Sequence, residues 1–262
     1  MTKFISLSSG SNGNCYYIGN EQVSFLIDLG IGGRTIKKRL TGYDIAVDTI
    51  DFVLVTHDHV DHIKSLGSFT ERFHKPVFAT EKLHKSLEYH FCTRGKLIGC
   101  VKDIRPGEPF ECLGVKIISF SVPHDAHDTV GYYIDFFGTT FTFITDVGNV
   151  TDDVVKYCKM AEHLVLESNY DVDMLINGKY TPDLKLRIMN GNGHLSNEQA
   201  ASIIKRAVGK QTQSLFLCHL SENNNTPQLA LASAQEALKL VSAEHVLLQA
   251  MPRRTASQVF EF

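Results

Sequence analysis

The chain has 262 residues, 43% of them hydrophobic and 21% charged, and carries a formal net charge of −3. That length supplies ample apolar material for one large domain. The slightly acidic balance excludes a protein that grips nucleic acid by bulk charge, so such a partner needs a local basic patch. No run approaches eighteen consecutive apolar residues, which excludes a membrane-spanning helix, and Met1-Thr2-Lys3-Phe4 does not open a signal peptide. The six cysteines (Cys15, Cys92, Cys100, Cys112, Cys158 and Cys218) are scattered without a Cys-x-x-Cys pair. Free thiols in a reducing cytoplasm are the expectation.

Phe4 to Leu7 reads as an opening strand. Ser8 to Asn14 is turn-rich, and Cys15 to Ile18 with Val23 to Asp28 reads as a strand hairpin. Gly10-Ser11-Asn12-Gly13-Asn14 fits a nest of backbone N–H groups for an anion as well as it fits a plain connection. Asp28 ends an apolar strand, where a buried carboxylate needs a partner. Arg34 to Leu40 reads as a helix, and its run Lys37-Lys38-Arg39 fits a solvated face better than a phosphate contact.

Asp51 to Val55 is a short apolar run of the kind that forms a buried strand, and it delivers the chain into Thr56-His57-Asp58-His59-Val60-Asp61-His62. Three histidines and two aspartates fall within six consecutive positions. His57 and His59 alternate, so an extended segment projects both from one face. Asp61 and His62 follow after a bend and reach a second centre. Imidazole and carboxylate are the ligand set of zinc, iron or manganese. One stretch does not close two centres, so other ligands must come from elsewhere. A polar turn that merely happens to be rich in histidine is a poor account of this spacing.

Ile63 to Phe73 looks helical, Pro76 to Ala79 extended and Glu81 to Tyr89 helical. His74, His84 and His90 lack ligand spacing and read as surface or structural groups. From Val101 to Val122 the chain is β-rich, with Gly107 and Gly114 at turns. Val122-Pro123-His124-Asp125-Ala126-His127-Asp128 again places histidine just past a strand, Val115 to Phe120. Val130 to Phe136 and Thr140 to Ile144 form a hairpin, and the second strand runs into Thr145-Asp146-Val147-Gly148. Asp146 as a helix cap is the weaker reading, because Asn149 and Thr151 stand nearer the helix start. Leu164 to Asp171 is a strand with a polar end that includes Glu167. Helices follow over Val172 to Lys179 and Pro182 to Met189, and a third over Glu198 to Val208, capped by Ser196 or Asn197. His194 sits just ahead of that helix N-terminus, where the backbone favours an anion. Ser214 to Cys218 is a strand with His219 at its end, before a helix from Pro227 to Leu240 and a strand from Val246 to Gln249.

Thr-His-x-His-x-Asp-His resembles the signature of the metallo-β-lactamase fold superfamily. The resemblance implies an α/β fold, a four-layer αββα sandwich of two mixed sheets flanked by helices, as one domain over 1–262. It implies two divalent metal ions, zinc or else manganese or iron. His57, His59 and His124 would hold one, Asp61, His62 and His219 the other, and Asp146 would bridge them. His127 competes with His124 for the third position, and Asp28 would support the ligand loops from behind. An aspartate at 146, where class B β-lactamases carry cysteine or serine, resembles phosphodiesterases and glyoxalase II. The expected cytoplasmic setting also disfavours a secreted antibiotic-degrading enzyme.

Glu167 and His194 look like the residues that support catalysis in tRNase Z-like phosphodiesterases, although no flexible basic arm for tRNA is present. Nor is there room between Asp146 and His219 for a β-CASP insertion. Gly-Ser-x-Gly-Asn, Pro-His-Asp, Leu-Glu-Ser-Asn-Tyr-Asp, Gly-His-Leu-Ser-Asn and His-Leu-Ser-Glu-x-Asn together are similar to the YycJ/WalJ group. This implies a 5′-to-3′ DNA exonuclease with a hydroxide bridging two metals as nucleophile, and Asp61, His194 and Glu167 as catalytic residues. DNA is then the partner, met by a groove with Lys37, Lys38 and Arg39, and no membrane is involved. The competing expectation is a glyoxalase II-like thioester or lactone hydrolase, in which Arg253 and Arg254 meet an acidic substrate and His194 and Glu167 are not needed. A redox module would bring a flavin domain, for which this length has no room.

Overall fold

A computed structural model describes all 262 residues, Met1 to Phe262. The chain divides into two compact units. One comprises 1–108, 126–128 and 252–262, and the other 109–125 and 129–251. No helix is long and apolar enough to cross a membrane.

The first unit is built on β1 (Lys3–Ser8), β2 (Cys15–Gly19), β3 (Ser24–Ile27), β4 (Phe52–Leu54), β5 (Val77–Thr80) and β6 (Val101–Ile104). These strands pair in sequence order, and the C-terminal strand Phe260–Glu261 adds outside β1. Pairing is antiparallel up to β3 and parallel from β3 to β6. Its helices are α1 (Gly33–Thr41), α2 (Val60–Ile63), α3 (Leu66–Phe73) and α4 (Glu81–Tyr89). Ile36 and Leu40 of α1, Leu66 and Phe69 of α3, and Leu83 and Leu87 of α4 recur at helical spacing. All six are buried in one cluster with Leu26, Val53 and Val77. Each such side chain contributes about 2 kcal/mol by leaving water.

The single helix expected from Ile63 to Phe73 is two helices, broken at Lys64 and Ser65. Lys64 N still donates to Val60 O, but the chain then bonds to Leu29: Leu29 N donates to His62 O at 2.7 Å, and Ser65 N to Leu29 O at 2.9 Å. The loop that carries the histidines is thereby tied to the end of β3.

The second unit holds β7 (Pro109–Cys112), β8 (Val115–Ser121), β9 (Val130–Phe136), β10 (Thr139–Ile144), β11 (His163–Glu167), β12 (Ser214–Cys218) and β13 (Leu247–Ala250), again in sequence order. Pairing is antiparallel up to β10 and parallel beyond it. Its helices are α5 (Asp152–Met160), α6 (Val172–Asn177), α7 (Pro182–Met189), α8 (Asn197–Ala207) and α9 (Pro227–Leu240). Val154 and Cys158 of α5, Ile203 and Ile204 of α8, and Ala230, Ala234 and Leu238 of α9 share a buried cluster with Leu164 and Leu215. Each unit is thus a mixed sheet with helices on it, the α/β class expected. Arg105 to Glu108, which reads locally like a hairpin turn, instead leads from the last strand of one sheet to the first of the other.

Candidate metal centre

Open α/β sheets place sites at the carboxyl ends of parallel strands. In the first unit the ends of β3 and β4 deliver Asp28 and Thr56-His57 side by side. Asp28 is fully buried and holds a left-handed backbone with φ 59°, a conformation aspartate tolerates better than most residues. Its Oδ1 accepts from Thr56 N at 2.9 Å, and its Oδ2 accepts from Thr56 Oγ1 at 2.8 Å and from His62 Nδ1 at 2.7 Å. With Nδ1–H given to Asp28, Nε2 is the His62 nitrogen with a lone pair that could ligate a metal. Thr56 Oγ1 lies 3.0 Å from His57 Nδ1 and fixes that ring in turn. The His57 ring centroid is 4.7 Å from that of His59 and 4.0 Å from that of His62. Asp61 Oδ2 lies 3.7 Å from His62 Nε2. The four side chains of the motif converge.

The Gly10–Asn14 loop props this convergence. Asn14 Oδ1 accepts from Gly10 N at 2.9 Å, Asn14 N donates to Asp61 O at 2.7 Å, and Asn14 Nδ2 lies 2.9 Å from His62 Nε2. Gly30 N donates to Asn14 O at 2.8 Å, and a Cβ on Gly30 would collide with the Asp61 carbonyl oxygen. Asn14, Gly30 and Thr56 therefore shape the histidine loop, a role that local pattern does not announce.

In the second unit three neighbouring parallel strands, β10, β11 and β12, end at Asp146, Glu167 and His219. Glu167 pairs in register with Cys218, so the carboxylate and His219 are neighbours by construction. Glu167 is fully buried and accepts from His194 Nδ1 at 2.7 Å, His219 Nδ1 at 2.9 Å, Val147 N at 3.0 Å and Leu195 N at 3.1 Å. It stands behind the two imidazoles and orients both. Asp146 Oδ1 lies 3.2 Å from His219 Nδ1, 3.6 Å from His194 Nδ1 and 3.8 Å from His124 Nε2. The ligating atoms of Asp146, Glu167, His194 and His219 all lie within 4.8 Å of one another. His219 has φ 52°, a left-handed backbone of the kind found where a site over-determines the chain.

Electrostatics separate the roles. Burial pushes Glu167 upward, but the charge of His194 and the hydrogen bonds from His194 and His219 outweigh it and hold the carboxyl below its ordinary range. Burial likewise pulls His194 down, but Glu167, with Asp146 behind it, raises it above an ordinary imidazole. His194 thus holds its proton more tightly than an ordinary imidazole, beside a carboxyl that ionises more readily than usual. For His124, burial dominates the pull of Asp146 and leaves the ring below the ordinary value, in the neutral form that ligates. Its Nδ1–H donates to Gly193 O at 2.8 Å, so Nε2 is again the nitrogen that could ligate a metal.

The two histidines of Pro-His-Asp-Ala-His separate completely. The His124 side chain is fully buried beside Asp146 and His194, whereas that of His127 is 73% exposed and bonded to Asp58 and Ser86. The basic run of α1 also divides. Arg39 gives its guanidinium to the carbonyls of Leu7 and Arg254 and so ties α1 to the first strand and the C-terminal segment. Lys37 lines a cavity of about 300 Å³ with Arg34 and Arg72. Ser8 Oγ bonds Arg253 O at 2.8 Å, so the backbone at Arg253 and Arg254 fastens the C-terminal segment.

A model of the β-lactamase superfamily domain matches residues 24–219. The chain belongs to the metallo-β-lactamase superfamily. It is 34% identical over 239 residues to exodeoxyribonuclease YycJ of Bacillus anthracis, covering 90% of this chain and 89% of that one. It is 33% identical over 229 residues to exodeoxyribonuclease WalJ of Streptococcus pneumoniae strain D39, covering 87% and 85%. Among solved structures, the metallo-β-lactamase fold protein YhfI of Bacillus subtilis aligns over 100% of both chains with TM-score 0.74 and 17% identity, a likeness of fold. As a member of this superfamily the chain is a metal-dependent hydrolase. Its clustered imidazoles and carboxylates are the donor chemistry that a divalent ion requires.

Proposed function

We propose that this metallo-β-lactamase superfamily chain is a dinuclear exodeoxyribonuclease that degrades DNA from the 5′ end. His57, His59 and His124 hold one ion, Asp61, His62 and His219 the other, and Asp146 spans both. The count of donors supports this assembly. Two four-coordinate ions need more ligands than the four of the His57–His62 motif, and the second unit offers the complement in neutral imidazole and carboxylate. Zinc and manganese both suit the donor set, and six free cysteines accord with a cytoplasmic enzyme.

The observation that carries the phosphodiesterase reading is the His194–Glu167 pair beside Asp146, 2.7 Å between Nδ1 and Oε1. Attack on a phosphodiester expels an alkoxide that must take a proton, whereas a thioester expels a thiolate that needs none. Bound divalent ions supply Lewis acidity and a water of lowered pKa for attack on phosphorus. The chain does the rest. Asp28 and Thr56 hold His62 and His57, Glu167 holds His219 and His194, and His194 gives its Nε2 proton to the departing oxygen while Nδ1–H stays on Glu167. Proton donation of this kind is worth roughly 10²–10⁴ in rate.

The test uses end-labelled duplex DNA, single-stranded DNA, RNA and a thioester with manganese or zinc. Metal-dependent release of nucleotides from the 5′ end is expected. His194→Ala should lose about 10²–10⁴ in kcat with full metal content. Turnover of the thioester, with every nucleic acid left intact, would replace this reading with the glyoxalase II-like one.

A further inference from the structure

Of the two histidines in Pro-His-Asp-Ala-His, His127 is the one that the metal assignment leaves over. Its Nδ1 lies 2.5 Å from Asp58 Oδ2, Ser86 Oγ bonds the same carboxylate oxygen, and Ser86 Oγ lies 3.2 Å from the same Nδ1. A serine, a histidine and an aspartate in contact invite comparison with a nucleophilic triad. The connectivity is wrong for one, because a triad needs the serine on the imidazole nitrogen opposite the carboxylate. Here serine and carboxylate share Nδ1, and the cluster is a clamp. A carboxylate with its side chain 5% exposed holds an imidazole 73% exposed. The ring satisfies the buried carboxylate, and the same bond fixes its exposed outer edge at a known place, ready to meet a ligand outside the chain.

The surroundings say which. His127 lines a cavity of about 440 Å³ with Lys82, Lys85, Ser86, Tyr89 and His90. Tyr89 and the adjoining Phe91 stand 80% and 73% exposed, and the His90 ring stacks on Phe91 at 4.6 Å between centroids. The two lysines are paired, Lys82 with Asp128 at 3.8 Å and Lys85 with Glu81 at 2.7 Å. Ion pairs this exposed contribute little and exchange readily for a stronger anion. A flat aromatic face beside ammonium groups is the recognition set for a nucleotide, with the base on the ring and the phosphate on the cations. Asp58 lies between His57 and His59 in sequence, so the clamp hangs from the very loop that carries the proposed metal ligands.

We propose that this cleft seats a nucleotide adjoining the scissile phosphodiester, its base stacked on Tyr89 and its phosphate held by Lys82, Lys85 and the outer edge of His127. The proposal rests on the DNA reading above and names where that substrate lies. The alternative, a free nucleotide as ligand, would leave chain cleavage untouched.

The experiment is a cycle between protein and substrate. Metal-loaded wild type, Tyr89→Ala and His127→Gln are compared on 5′-labelled duplexes carrying a normal or an abasic residue at the terminal or the penultimate position. All the altered side chains are on the surface, and thermal melting checks that each variant folds. Tyr89→Ala should raise KM for the normal duplex roughly 5- to 100-fold, with the loss in KM rather than kcat. An abasic residue at one of the two positions should raise the wild-type KM similarly, and the combination should be no worse than either change alone. His127→Gln should raise KM for both substrates. Losses that simply multiply, or a normal KM in Tyr89→Ala, overturn the proposal while leaving the nuclease intact. A wild-type protein that cleaves no nucleic acid overturns the nuclease reading, and this proposal with it.

Discussion

Asp28 shows how one side chain sets the geometry of others. It is 28 residues from Thr56 and 34 from His62, yet it binds the backbone and hydroxyl of the first and the ring of the second. Asp28→Asn keeps the volume but removes the charge that anchors His62 Nδ1–H, and it turns one acceptor into an NH₂ facing a donor. Metal affinity should fall about 10- to 100-fold, measured by competition with a chromophoric chelator, while thermal melting stays cooperative. Unchanged affinity would mean that the charge of Asp28 is not needed to aim His62. At this scale much of the candidate site was legible, because four side chains able to ligate fall in one six-residue window and the others each follow an apolar strand. Asp58 and His127 were not, since partners 69 residues apart leave no local pattern. The bonds of Arg39 were hidden for a related reason: a lysine-arginine run looks the same in sequence whether its last member meets solvent alone or also the carbonyls of Leu7 and Arg254.

Strands and helices were legible wherever the local rule is the one that decides. Glu81–Tyr89, Ser214–Cys218 and Pro227–Leu240 begin and end where apolar spacing and caps place them, and Ser196 with Gln199 forms the box that starts α8. The break at Ser65 was hidden because it comes from bonds to Leu29, outside the segment. β11 also has a cost written into it. His163 begins the strand buried, with Nδ1 2.8 Å from Ser214 Oγ and the ring 5.0 Å from Phe141. Burial pushes it down to about 4, against the pull of Glu162. An unfolded histidine titrates near 6.5, so below that pH the unfolded chain binds a proton that the folded one refuses. Stability should therefore be intact above about pH 6.5 and decline as pH falls towards 4. His163→Gln removes this component, and urea titrations at pH 7 and pH 4.5 should show its stability falling by about 2 kcal/mol less than that of wild type. Parallel declines in the two proteins would show that other groups carry the acid sensitivity.

For the whole molecule, the local signals determine elements but not which sheet each strand joins. β6 and β7 are separated by four residues around Gly107 and would pass for a hairpin, yet each pairs elsewhere. The assignment depends on which neighbours remove apolar surface from water, information spread over the chain. The same distribution bears on what metal does here. Each unit closes its own apolar cluster, one around Leu26, Val53 and Val77 and the other around Leu164, Leu215 and Ile204. The proposed ligand side chains are held by protein partners, Asp28 for His62 and Glu167 for His219, and these bonds do not require an ion. The fold should thus outlast its metal. Dialysis against a chelator should abolish hydrolysis, leave the far-ultraviolet circular dichroism unchanged and lower Tm by on the order of 5–10 °C for each tightly held ion. Added zinc or manganese should restore Tm and activity together. Collapse of the dichroism on chelation would instead make the ions part of the core, and the hydrogen bonds behind the ligands too weak to hold an empty site.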